Sequence, residues 1–181
     1  MSDTAKNAKR IEVVFSAAAI AARIDALAAE IAAARLERPL IVSVLTGSFI
    51  FAADLLRGLH RAGLDVEVDF LALSSYREGT TSGGKIDVLR DVEVPVAGRD
   101  ILLVDDILDT GRTLAFAKGL IAERGPRRIA TCVLLDKRIT RAVTIEADFV
   151  AFECPPVFVI GYGMDLGHRY RELPFVGRLI G

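Results

Sequence analysis

Apolar residues recur along this chain in two distinct rhythms. From Ser16 to about Arg35, Ile20, Ile24, Leu27 and Ile31 fall on one face at helical spacing. Ser16 is placed to cap that helix, and the alanines within it favour helix further. This stripe carries no chemistry and reads as core or subunit interface. Leu40–Leu45, after Pro39, and Ile101–Val104 are continuous apolar runs, the pattern of strands buried on both faces. Asp65–Leu73 alternates with period two through Phe70, as a strand with one wetter face does. Shorter runs at Ile11–Phe15, Arg128–Leu135 and Asp148–Phe152 read as further strands, Asp87–Val94 as a return strand, and Phe49–His60 and Arg112–Arg124 as helices. Pro95, Gly98, Gly125-Pro126 and Cys154-Pro155-Pro156 punctuate them. Strands alternating with helices predict an α/β fold: a parallel sheet covered on both faces, with ligands at the carboxyl ends of the strands.

Composition narrows the class. A chain of 181 residues with 52% hydrophobic content suits a single domain with a sizeable core, and the polar residues 1–10 are expected to fray. Lys plus Arg (23) nearly balances Asp plus Glu (24), and a net charge of −1 argues against a nucleic-acid partner. No apolar run reaches the roughly 18 residues of a membrane span, and no signal-peptide core follows the polar start, so no membrane partner and a cytoplasmic address are expected. Cys132 and Cys154 sit among apolar neighbours, which points to buried, reduced thiols.

The chemistry concentrates in residues 100–113. The apolar run there gives way to Asp105 and Asp106. Asp109 follows, and then Thr110, Gly111, Arg112 and Thr113 at the mouth of a helix. Orphan amides and the positive end of the helix dipole make such a turn an anion site. Carboxylates beside an anion site repel the anion unless they face hydroxyls or a divalent metal. A phosphorylated sugar with Mg²⁺ satisfies both halves. Thr46-Gly47-Ser48 is a second strand–turn–helix junction, a weaker anion candidate without the lysine and spacing of a Walker A loop. Residues 74–86 are polar and rich in Gly, Ser and Thr, and read either as a hairpin tip or as a lid carrying Tyr76.

The pattern Asp-Asp-x-x-Asp-Thr-Gly-x-Thr resembles the binding signature for PRPP (5-phosphoribosyl-1-diphosphate) in type I phosphoribosyltransferases. Thr46-Gly47-Ser48-Phe49, Ser75-Tyr76, Leu134-Leu135-Asp136-Lys137 and Phe158-Val159-Ile160-Gly161-Tyr162 with Asp165 and Arg171 occur in order. Together they resemble the bacterial hypoxanthine (hypoxanthine-guanine) phosphoribosyltransferases from about Ile11 to Ile180. The resemblance implies the type I fold, with a small hood built from about 155–181 and the N-terminal segment. It also implies a homo-oligomer, dimer or tetramer, and Mg²⁺-dependent purine salvage from PRPP and a 6-oxopurine base. By that resemblance Asp109 is the general base, and Asp105 and Asp106 hold the ribose hydroxyls directly or through Mg²⁺. Amides from Thr110 to Thr113, Arg112 included, cradle the 5-phosphate. Thr46 and Gly47 form the pyrophosphate loop, and Ser75 and Tyr76 the lid. Lys137 bonds the six-oxo group, Phe158 stacks on the base and Val159 contacts it through its main chain. Asp165 takes a second Mg²⁺ and Arg171 the leaving pyrophosphate. Two positions depart from the family pattern: Asp105 stands where members often have Glu, and Thr46 where some have Lys or Arg. The rival readings are a PRPP-sensing regulator that binds RNA or DNA, and a xanthine-guanine or uracil enzyme.

Overall fold

The computed structural model describes residues 10–75, 86–137, 139 and 141–180. Along them run β1 (Arg10–Phe15), α1 (Ala17–Ala33), β2 (Leu40–Leu45), α2 (Phe49–Arg61), β3 (Glu67–Ser75) and β4 (Ile86–Arg90). β5 (Asp100–Leu108), α3 (Arg112–Ala122), β6 (Arg128–Lys137), β7 (Phe149–Cys154) and β8 (Val176–Ile180) follow. Apart from Arg10, which opens β1, the expected frayed arm lies outside the described residues. So does most of the 74–86 stretch, Tyr76 included.

One sheet has the order β4-β3-β2-β5-β6-β7. All its neighbours are parallel except β3 and β4, which pair antiparallel, so the expected parallel sheet carries one reversed edge. β1 and β8 form a separate antiparallel pair, with Arg10 opposite Ile180. The sequence pattern had not marked β8.

Strand periodicity explains why helices cover both faces. Ile41, Leu102, Val104, Cys132 and Leu134 point to one side, where they meet Ile20, Ile24, Leu27 and Ile31 of α1 and Phe51, Leu55 and Leu59 of α2. Their sequence neighbours Leu40, Val42, Ile101, Leu103 and Val133 point to the other and meet Leu114, Ala117 and Ile121 of α3. Each large apolar side chain so buried is worth about 1.5–3 kcal/mol relative to exposure. Ser16 caps α1 as predicted, accepting from the Ala19 amide at 3.2 Å. Arg23 then ties α1 to the edge strand β7, donating to Ala151 O at 2.9 Å and Val150 O at 2.8 Å.

Polar staples close the amino ends of the strands. Buried Asp100 pairs with Arg127 and accepts from the Glu37 amide at 2.8 Å. Arg99, also buried, bridges Glu67 at 3.0 Å and donates to Arg38 O at 3.0 Å. The opposite, carboxyl edge is thereby left as the place where loops diverge. β5 does not stop at Val104: pairing with β6 continues through Asp105↔Val133 to Leu108↔Asp136. Cys132 and Cys154 are buried and free, and burial pushes both thiols up, which leaves them unreactive. Among the described residues no helix is long and apolar enough to cross a membrane.

Candidate active site

Two adjoining cavities open along the carboxyl ends of β2, β5 and β6. The first, about 450 Å³, is walled by Asp105, Asp106, the turn from Asp109 to Thr113 and Ala142. The second, about 400 Å³, is walled by Lys137, Phe158, Val159, Met164, Asp165 and Arg171. Thr46, Gly47, Leu73, Asp106 and Asp109 line both, so the cavities are lobes of one cleft.

The turn into α3 has the geometry expected of an anion cradle. Gly111 sits at φ +80° and no side chain caps the helix, so the first-turn amides remain free to donate. Only glycine fits here: a Cβ at Gly111 would lie 2.8 Å from both Val143 O and Ile145 Cγ2.

Asp105 and Asp106 sit beside this cradle on β5. Burial, and then the neighbouring Asp106, push the Asp105 carboxyl well above the usual carboxylate range. Burial also raises Asp106, against hydrogen bonds from Asp105 and from the amides of Asp106 and Ile107. A close carboxylate pair raised in this way is short of positive charge, and a divalent cation supplies it. Among the described residues no group of three or more His, Cys, Asp or Glu forms a cage. Asp105 and Asp106 are a donor set of the kind that Mg²⁺ takes, one or two carboxylates completed by substrate oxygens and water.

At the junction of the lobes Lys137 Nζ lies 3.0 Å from Asp109 Oδ2, with the lysine side chain only 12% exposed. The buried stem fixes the ammonium, while Asp109, 41% exposed, faces the cleft. Beyond them Phe158 is 53% exposed, so its ring is not a core side chain. Asp165 and Arg171 meet each other at 2.8 Å, and Asp165 also accepts from the His168 amide at 2.7 Å. The residue expected to hold a cation and the one expected to hold pyrophosphate are therefore paired in this structure. Ser75 closes β3 opposite Ile86.

Several contributors were not visible in sequence. The Thr46–Gly47 turn, whose Leu45–Thr46 peptide is cis, is braced by two buried hydroxyls. Ser48 Oγ donates to Val44 O at 2.5 Å, and Ser43 Oγ lies 2.7 Å from Ser48 Oγ. Gly47 lies so close to Asp106 that a Cβ there would fall 1.9 Å from Oδ2. Gly163 presses on the same turn, since its Cβ would lie 2.2 Å from Gly47 O. Small residues around a turn give no signal of close approach until the fold brings the segments together.

Residues 11–166 match the family model of the phosphoribosyl transferase domain. The chain belongs to the phosphoribosyltransferase family. It is 41% identical over 143 residues to a hypoxanthine-guanine phosphoribosyltransferase of Streptococcus agalactiae, covering 79% of this chain and 78% of that protein. It is 45% identical over 141 residues to the bifunctional protein TilS/HprT of Listeria innocua, covering 78% of this chain but only 21% of the longer protein. The solved hypoxanthine phosphoribosyl transferase of Trypanosoma cruzi superposes with a TM-score of 0.88 at 37% identity, covering 97% of this chain and 94% of that one.

Proposed function

We infer that this chain is a purine-salvage enzyme that transfers the 5-phosphoribosyl group of PRPP to hypoxanthine, and to guanine, releasing pyrophosphate. The observation that carries this reading is the 3.0 Å contact of Lys137 and Asp109 between an anion cradle and an exposed aromatic ring. A cradle alone fits any phosphate, whereas a cationic donor beside a carboxylate and a flat apolar face fits an oxopurine.

The 5-phosphate of PRPP occupies the amides of Thr110–Thr113, and Asp105 and Asp106 take the ribose hydroxyls. The pyrophosphate extends toward Thr46, Gly47 and Arg171. The base lies on Phe158, with Val159 O and N available at its edge. Lys137 has three donors, so it bonds the six-oxo group while still facing Asp109. As pyrophosphate departs and the ribosyl carbon gains oxocarbenium character, a purine ring nitrogen attacks that carbon. Asp109 accepts the proton which the imidazole ring loses. Enzymes of this kind use Mg²⁺ generally. Asp105 and Asp106 would hold the ion, with Asp165 a second position, and it would supply positive charge for the leaving pyrophosphate. The apolar floor of Leu73 and Met164 helps keep water, the competing nucleophile, from the reacting carbon. Buried, reduced Cys132 and Cys154 suit a cytoplasmic enzyme.

Asp109→Asn keeps the shape and removes the basicity. General-base assistance is worth roughly 10²–10⁴ in rate, and kcat for IMP formation should fall within that range while PRPP binding, which uses backbone amides, stays near the parent value. A variant with parental kcat, measured where chemistry limits the rate, would exclude Asp109 as the base.

A further inference from the structure

We propose that Arg141 is a positioning residue that sets the distance between the phosphate turn and the base-recognising Lys137. The inference rests on the phosphoribosyl-transfer reading above.

Arg141 lies in the connection after β6, and its side chain turns back over that strand's end. Its guanidinium pairs with the Asp136 carboxylate, the Arg141 side chain 14% exposed and the buried Asp136 side chain 7%. The same Nη2 lies 3.4 Å from Lys137 O, and Nη1 donates to Ile145 O at 2.8 Å. One rigid fork therefore holds the strand residues flanking the base site and the far end of segment 141–145 together. That segment then rests on the phosphate turn. The Val143 amide donates to Thr110 O at 3.2 Å. Val143 O and Ile145 Cγ2 occupy the space a Cβ on Gly111 would need, each 2.8 Å away. Ala142 forms part of the wall of the phosphate lobe. Beside the direct Lys137–Asp109 contact and the β5–β6 ladder, a second path from Lys137 to Thr110 thus runs through Arg141 and a single layer of backbone.

Arg141 is not among the residues that line either lobe of the cleft, so its effect is on placement. The two ends of PRPP report it differently. The 5-phosphate end meets the turn on which the segment rests. The pyrophosphate end meets Thr46, Gly47 and Arg171, to which Arg141 makes no contact among the described residues. Loss of the fork loosens the first and spares the second.

The test compares Arg141→Met with Arg127→Met, which breaks the Asp100 pair at the opposite edge of the sheet. Steady-state kinetics give KM for PRPP and kcat, product inhibition gives Ki for pyrophosphate, and thermal unfolding gives Tm. We expect Arg141→Met to raise KM for PRPP on the order of tenfold. Ki for pyrophosphate should stay within about twofold. Arg127→Met should lower Tm with both constants unchanged. An unchanged KM in Arg141→Met, or KM and Ki rising together, overturns the proposal. If Arg141→Met fails to fold, Arg141→Lys decides. It keeps one contact to Asp136 but cannot span to Ile145 O, so it should raise KM by a smaller factor, again without moving Ki; an unmoved KM overturns the proposal. Should the parent protein itself make no nucleotide, the underlying enzymatic reading fails first, and the two failures are distinct.

Discussion

Gly163→Ala tests whether the two lobes of the cleft are held together by backbone contact. Gly163 has φ +101°, a conformation L residues rarely adopt. A Cβ there would lie 2.2 Å from Gly47 O, where ordinary contact begins at 3.4 Å. The loop at Gly163 and the Thr46–Gly47 turn must therefore separate by about 1.2 Å. Gly163 cannot retreat freely, because its amide donates to Arg171 O at 3.0 Å and its carbonyl accepts from Arg171 Nη1 at 2.6 Å. Gly47 cannot retreat freely either, since it lies against Asp106. The backbone strain costs about 1–3 kcal/mol, or a fall in Tm of roughly 2–12 °C for a chain of this size. A displacement near 1 Å in a catalytic constellation can cost about 10²-fold in rate, equivalent to about 2.7 kcal/mol in the barrier. The assay is kcat/KM for PRPP and for hypoxanthine alongside Tm. Gly119→Ala in α3 is the matched control: its Cβ would meet nothing within 4 Å, and alanine inside a helix should stabilise by about 0.5–1 kcal/mol with kinetics unchanged. Gly163→Ala with kcat/KM within about threefold of the parent would refute the close-contact argument.

Two further outcomes follow from single groups. Lys137→Met should lower kcat/KM for hypoxanthine by about 1.5–3 kcal/mol, the range for hydrogen bonds to a charged group, as measured by initial rates; a loss below twofold would deny Lys137 its role. Asp69 is buried, which alone would raise it, but the amides of Val94, Phe70 and Glu93 and the Arg90 guanidinium bring it from 3.8 down to about 2. Because the folded value lies below the unfolded one, its stabilisation, roughly 2 kcal/mol, is complete above the unfolded value and is lost as pH falls through the folded one. In urea unfolding Asp69→Asn should trail the parent by about that amount at neutral pH, with the gap closing as pH approaches 2; a pH-independent gap would contradict the assignment.

Much of this was legible in the residues because local rules and the global fold agree. Ser16 caps where its side chain can reach, and the apolar runs of β2 and β5 are buried on both faces as their composition requires. The acidic stretch with Thr110-Gly111 announced its turn because helix N-terminal geometry is a local property. Failures came where distant segments decide. β5 continues through Asp105 and Asp106 because β6 offers it ladder partners out to Asp136, which overrides the polar interruption. Asp87–Val94, by contrast, reads as a return strand, and β4 does pair antiparallel with β3. β8 pairs with β1 from the far end of the chain, and five residues give too little pattern to read. Nothing in the sequence marks Arg141. Only the fold turns it back onto Asp136 and Ile145.

The central claim is that Lys137 and Asp109 select and activate a 6-oxopurine. It is tested most directly by one turnover measurement, in which the purified chain is given PRPP and Mg²⁺ with hypoxanthine, guanine, xanthine, uracil or adenine in turn and nucleotide and pyrophosphate are quantified. Hypoxanthine and guanine should yield nucleotide with stoichiometric pyrophosphate, and adenine, which offers an amino group where Lys137 needs an acceptor, should be slower by at least about 10²-fold. Adenine turning over at a comparable rate, or no base turning over at all, would contradict the account.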